Sequence, residues 1–172
     1  IKKYKRPPLY DKLHEKQRAE TLALIAKRIA EANRVAPHEK NDRRRYFLWQ
    51  VGKKLVLSLA QLQPERAGGF LEEQIRCLRE QEADEDDRWS HKGILTELFD
   101  AWIDCGAPRA LPAYLAWLES LDPLDGHLWH DYLLRPLLKA HEDRRALATA
   151  ARMFGEGESA WPPILGKAAG AE

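Results

Sequence analysis

DRRRYFLWQVGKKLVLSLAQLQ, residues 42–63, decides the fold class. Leu48, Val51, Leu55, Leu59 and Leu62 recur at steps of three and four, which places them in one stripe of an α-helix. Phe47, Trp49, Val56 and Leu57 spread apolar surface most of the way round, leaving only a thin polar stripe of Arg43, Gln50, Lys54 and Gln61. A helix that is apolar on nearly every side sits centrally in a bundle, with neighbours on at least two faces. Asn41 or Asp42 is placed to cap its start, after the break made by Pro37 and HEKND. No run anywhere in the chain alternates as a strand would, so the expected class is all-α.

On the N-terminal side, Leu22, Ile25, Ala26 and Ile29 give a helix over about 11–34, capped by Asp11, with Lys16, Lys27 and Arg34 stacked on its opposite face. Residues 1–10, IKKYKRPPLY, carry Lys2, Lys3, Lys5 and Arg6 ahead of two prolines and read as a basic, extended arm. On the C-terminal side Pro64 and Glu65 suit the first turn of a third helix, with Phe70, Leu71, Ile75 and Leu78 inward and Gly68 and Gly69 weakening its start. It runs out by residue 82 into an acidic stretch, Glu80 to Asp87, read as a fraying end and a solvated loop.

Further helices follow. In SHKGILTELFDAWIDC (90–105) Leu95, Leu98, Phe99 and Trp102 share one face, opposite Glu97, Asp100 and Asp104, which read as a solvated surface. Gly106 stands where a left-handed C-cap belongs. ALPAYLAWLESL comes next, then HLWHDYLLRPLLKAH, which Pro136 kinks or delays, then a short helix over 144–154. Residues 155–172 read as a flexible tail.

Laid over each other at an offset of 35, then 36, residues 98–118 and 133–154 align Leu98 with Leu133, Trp102 with Leu137, Ala110 with Ala146 and Leu111 with Leu147. With Trp102 and Leu98 on the first helix, Gly106 in the turn and Leu121, Asp122 and Pro123 closing the second, residues 95–154 resemble tetratricopeptide-type repeats. They depart from that pattern at Phe99, where a small residue is usual, and at Pro112 and Pro136, and only two copies align. The resemblance implies a concave surface that holds a peptide or partner helix, and no enzymatic activity. The expected architecture is one all-helical domain over 11–154, in which N-terminal helices (11–82) continue into two repeat-like hairpins (90–154).

The 28 Lys and Arg nearly balance the 27 Asp and Glu, yet residues 1–66 have a net charge of +10 and residues 67–172 one of −9. Such a division points to a polyanionic or acidic partner. At 32% charged, the chain has no uncharged run approaching the roughly 18–20 residues of a membrane span. Cys77 and Cys105 form no CxxC pair, neither reads as a nucleophile, and no signal-peptide pattern is present, so a reducing cytoplasmic compartment is expected. The chain opens on Ile1, as a processed product or a piece of a longer protein would.

His127, His130 and Asp131 in DGHLWHDY would offer two nitrogens and an oxygen to zinc or iron, but no HExxH or ExxH motif completes the set, and capping and surface hydrogen bonds account for them. Asp87 and His91 are four apart with no Ser or Cys nucleophile at a recognisable elbow, and read as a surface pair. Most of the six tryptophans recur at core positions, while Trp89 and Trp161 lie in polar or proline-rich stretches suited to docking on a partner or pinning the tail. No catalytic, cofactor-binding or metal residue is assigned. Arg43, Arg44 and Arg45 immediately precede Tyr46 and Phe47, a composition that grips phosphates and stacks bases, or pairs with the chain's own acidic half. The expected function is a non-enzymatic protein-protein interaction or scaffold subunit with a basic arm. The alternative is a nucleic-acid-binding subunit using Lys2, Lys3, Lys5, Arg6, Lys16, Lys27, Arg34 and Arg43 to Arg45.

Overall fold

The computed structural model describes residues 14–81, 88–121, 130–140 and 143–154. The chain divides into two compact units, Ile1–Ala107 and Pro108–Glu172. In the first unit, α1 (Glu15–Val35) starts at His14, whose backbone N–H donates to Gln17 Oε1 at 3.1 Å. The expected cap, Asp11, lies outside the described residues. A 3₁₀ turn, Ala36–His38, carries Pro37 and stops α1. Asn41 then caps α2 (Asp42–Leu62), its Oδ1 accepting the Arg44 backbone N–H at 3.0 Å. Pro64 opens α3 (Pro64–Arg79), which continues without interruption through Gly68 and Gly69. The first unit closes with α4 (Arg88–Asp104), and Gly106 follows with φ +71°, the left-handed conformation expected of it.

α2 is central, as its apolar circumference requires: it packs against α1, α3 and α4. The face it buries takes in only the end of the main apolar stripe, Leu59 and Leu62. Trp49, Gly52, Val56 and Leu59 are buried, whereas Leu48, Val51 and Leu55 are only half-buried. Gly52 explains the rotation. A Cβ there would lie 2.6 Å from Gln74 Nε2 and 3.4 Å from Ala32 Cβ, so its bare backbone admits α1 and α3 to close approach. Lys53 is drawn in with the same face and reaches Glu97 on α4 at 2.8 Å, an ion pair buried at its lysine end.

Opposite α2, α1 contributes Leu22 and Ile29, α3 contributes Leu71, Ile75 and Leu78, and α4 contributes Leu95, Leu98, Phe99 and Trp102, all at positions the periodicity picked out. Two buried polar residues depart from expectation. His91 and Asp100 are buried, not solvated, because α4 faces both α2 and α3 and so has little outer surface left. Gln74 is fully buried, and neither its amide oxygen nor its nitrogen has a hydrogen-bond partner.

The second unit holds α5 (Ala110–Glu119), α6 (His130–Lys139) and α7 (Arg144–Phe154), with α7 packed against both others. Pro112 is the third residue of α5, where an N–H has no intrahelical acceptor, so it does not interrupt the helix. Pro136 lies inside α6 and removes one ladder bond. One turn before it, the buried Tyr114 hydroxyl donates to the Leu133 carbonyl at 2.7 Å. Asp143 Oδ1 accepts the backbone N–H groups of Arg145 and Ala146 at 2.8 and 3.0 Å, capping α7. Arg145 grips Glu119 of α5 through two hydrogen bonds of 3.0 and 2.7 Å, and this contact above all holds the Glu119 carboxyl below the usual carboxylate range.

All described elements are helical, with no strand among the described residues. The division between the units falls within the first of the two aligned hairpins, so α4 packs with α2 and α3, while α5 packs with α7. The aligned positions Leu98, Trp102 and Ala110, and Leu133, Leu137 and Ala146, are all buried.

Candidate interaction face on α2

The sequence assigns ten cations to partner binding. Lys2, Lys3, Lys5 and Arg6 lie outside the described residues; the other six lie on α1 and α2. On α1, Lys16, Lys27 and Arg34 are exposed on one face, as the spacing requires. Glu20 and Glu31 also lie on that face, and Arg28 pairs with Glu31 at 2.7 Å. The α1 face is therefore of mixed sign and does not form a cationic stripe.

α2 is different. After Asp42 it contains no Asp or Glu, while Arg43, Arg44, Arg45, Lys53 and Lys54 all lie on it. Two of these cations are engaged inside the first unit. Arg45 pairs with Asp42 and donates to the Glu39 carbonyl at 3.3 Å, and Lys53 is held by Glu97. Arg45 thus finds its anion one turn away on its own helix, and the acidic stretch from residue 82 to 87 lies outside the described residues. Arg43, Arg44 and Lys54 are exposed and pair with no described residue.

Arg43, Phe47 and Lys54, at steps of four and seven, lie along one outward line of α2. Phe47 is 65% exposed, more than any other large apolar side chain among the described residues. Tyr46 is 38% exposed at the edge of this line, its hydroxyl accepting from Gln50 Nε2 at 2.7 Å. Beside the line, half-buried Leu48, Val51 and Leu55 form an aliphatic shoulder. The surface is therefore an aromatic ring between cations, with aliphatic surface alongside. It can hold an anion and bury an apolar side chain together.

Among the described residues, no group of three His, Cys, Asp or Glu residues is placed to hold a metal ion. His127 lies outside the described residues, and for His130 and Asp131 only the helical backbone at the start of α6 is described. Cys105 is pushed up to about 11 by burial, with Asp104 and Glu65 adding to the effect, and burial likewise raises Cys77. Neither thiol is activated at neutral pH. Trp161 lies outside the described residues, as does the side chain of Trp89. No helix among the described residues is long and apolar enough to cross a membrane.

The aliphatic shoulder was missed in the sequence because Leu48, Val51 and Leu55 read as the core stripe; the signal that would have found it is Gly52, whose bare backbone lets Gln74 of α3 and Ala32 of α1 come close. Compared with known families, known proteins and solved structures, the chain has no significant match.

Proposed function

We propose that this protein is a non-enzymatic interaction subunit of a larger assembly, and that the outward face of α2 is its docking surface. The observation that carries the reading is Phe47, largely exposed between Arg43 and Lys54 and beside the half-buried Leu48, Val51 and Leu55. Exposed aromatic rings flanked by arginine are the composition of interface hot spots. The basic arm of residues 1–10 belongs to this reading as a segment reaching across the partner, and a cytoplasmic location goes with it. So do the tetratricopeptide-like hairpins, supported by the matched burial of Leu98 with Leu133 and Trp102 with Leu137.

A second reading, nucleic-acid binding, has one observation in its favour: Arg43 and Arg44 pair with no described residue and stand next to two exposed rings. One experiment separates the two. A photo-crosslinking phenylalanine derivative at position 47 of the full chain, irradiated in cells, is expected to give adducts that protease destroys and nuclease leaves intact. Nuclease-sensitive adducts would establish the second reading instead. Equal labelling from a control at exposed position 69 would end the claim for this face.

A further inference from the structure

We infer that the partner held by the outward face of α2 is an acidic amphipathic helix. The inference rests on the reading of that face as a docking surface and names what occupies it.

Shape comes first. Arg43 and Lys54 are eleven residues apart on one helix, about 16 Å along its axis, with Phe47 between them. Val51 and Leu55 continue the apolar surface beside this line. The apolar ridge itself, Phe47 to Leu55, is eight residues or about 12 Å long, which matches about two turns of a second helix laid along it, with the cations beyond or beside its ends, in the ridge-into-groove manner by which helices pack at 8–10 Å. An acidic helix with apolar residues at three- and four-residue steps would place one large side chain beside Phe47 and its carboxylates towards the two ends.

Charge selects the sign. Arg45 and Lys53 already have their anions, but Arg43, Arg44 and Lys54 pair with no described residue. Arg43 and Arg44 also lie in the first turn of α2, where the helix dipole disfavours cations. Partner carboxylates there would offset both unfavourable terms, whereas a basic partner would add like charges to a helix with no Asp or Glu after Asp42. A nucleic acid would satisfy the arginines and stack on Phe47, yet would leave the aliphatic surface of Val51 and Leu55 without a matching apolar group. That surface is what favours a protein helix.

The test uses the full chain and three probes: a helical peptide of about 18 residues with leucines on one face and glutamates flanking them, its lysine counterpart, and a single-stranded DNA oligonucleotide. The acidic peptide is expected to bind about tenfold or more tightly than the basic one, and Phe47→Ala to weaken it by about tenfold. A variant carrying Arg43→Glu, Arg44→Glu and Lys54→Glu, all exposed sites, is expected to reverse the preference while retaining its circular dichroism. Equal binding of the two peptides, no binding by either, or no effect of Phe47→Ala would overturn the inference. So would oligonucleotide binding that exceeds the acidic peptide's and is abolished by the three reversals. Protein adducts from position 47 together with failure of the acidic peptide would reject the acidic helix and leave the docking face standing; nuclease-sensitive adducts would reject both.

Discussion

Gly52 shows how one missing methyl group organises the first unit. Its modest cost as a helix residue is offset by the approach it permits, with Gln74 Nε2 at 2.6 Å and Ala32 Cβ at 3.4 Å from where a Cβ would stand. Alanine in place of glycine gains about 1 kcal/mol of helix propensity, but overpacking a filled core costs about 1–3 kcal/mol. Gly52→Ala is therefore expected to destabilise the protein by about 1 kcal/mol, because the Gln74 amide is fully buried and has little room to retreat. In a Gln74→Ala background the same change is expected to stabilise by up to about 1 kcal/mol. Urea titrations of the four proteins decide it, and a Gly52→Ala variant more stable than the natural chain would show the contact to be soft. At this scale the sequence was legible for apolar positions and poorly legible for polar ones. Leu22, Ile29, Leu71 and Leu98 followed from periodicity, whereas Gln74, His91 and Asp100 did not. Burial of a polar side chain depends on which neighbours surround it, and helical spacing carries no record of those.

The helices themselves were read well because their ends are written in local chemistry. Asn41, Pro64 and Gly106 each act within a few residues of where they stand. Glycines on two elements nonetheless have opposite meanings. Gly106 adopts φ +71°, which an L side chain resists, so Gly106→Ala is expected to cost about 1 kcal/mol although its surroundings are open. Gly69 lies exposed in the body of α3 with nothing within 4 Å of its added Cβ, so Gly69→Ala is expected to gain about 0.5–1 kcal/mol. Thermal unfolding of the two variants should shift the midpoint in opposite directions, and shifts of the same sign would contradict the assignment of one glycine. Helix length and capping were thus local facts. The face that α2 buries was not, since its apolar circumference allows several choices and Gly52, Ala32 and Gln74 together select one.

For the whole molecule, the first unit has a core of its own: Trp49, Val56, Leu71, Leu98 and Phe99 are completely buried within Ile1–Ala107. A chain ending at residue 107 is accordingly expected to keep its helical circular dichroism and to unfold in urea in one cooperative step. A gradual, non-cooperative loss would show that this core needs the rest of the chain. The repeat alignment spans this division, its first hairpin running from α4 in one unit to α5 in the other. By itself the sequence determined the all-α class, the helix limits and the asymmetry of charge, all of which arise from interactions between near neighbours or from composition. Only the tertiary structure decided that α4 belongs with α2 and α3, that Lys53 is drawn inward to Glu97, and that Phe47 stays outside between Arg43 and Lys54, which pair with no described residue. Those outcomes depend on contacts between residues far apart in the chain, where close packing at Gly52 turns α2 to one of several faces its sequence would allow.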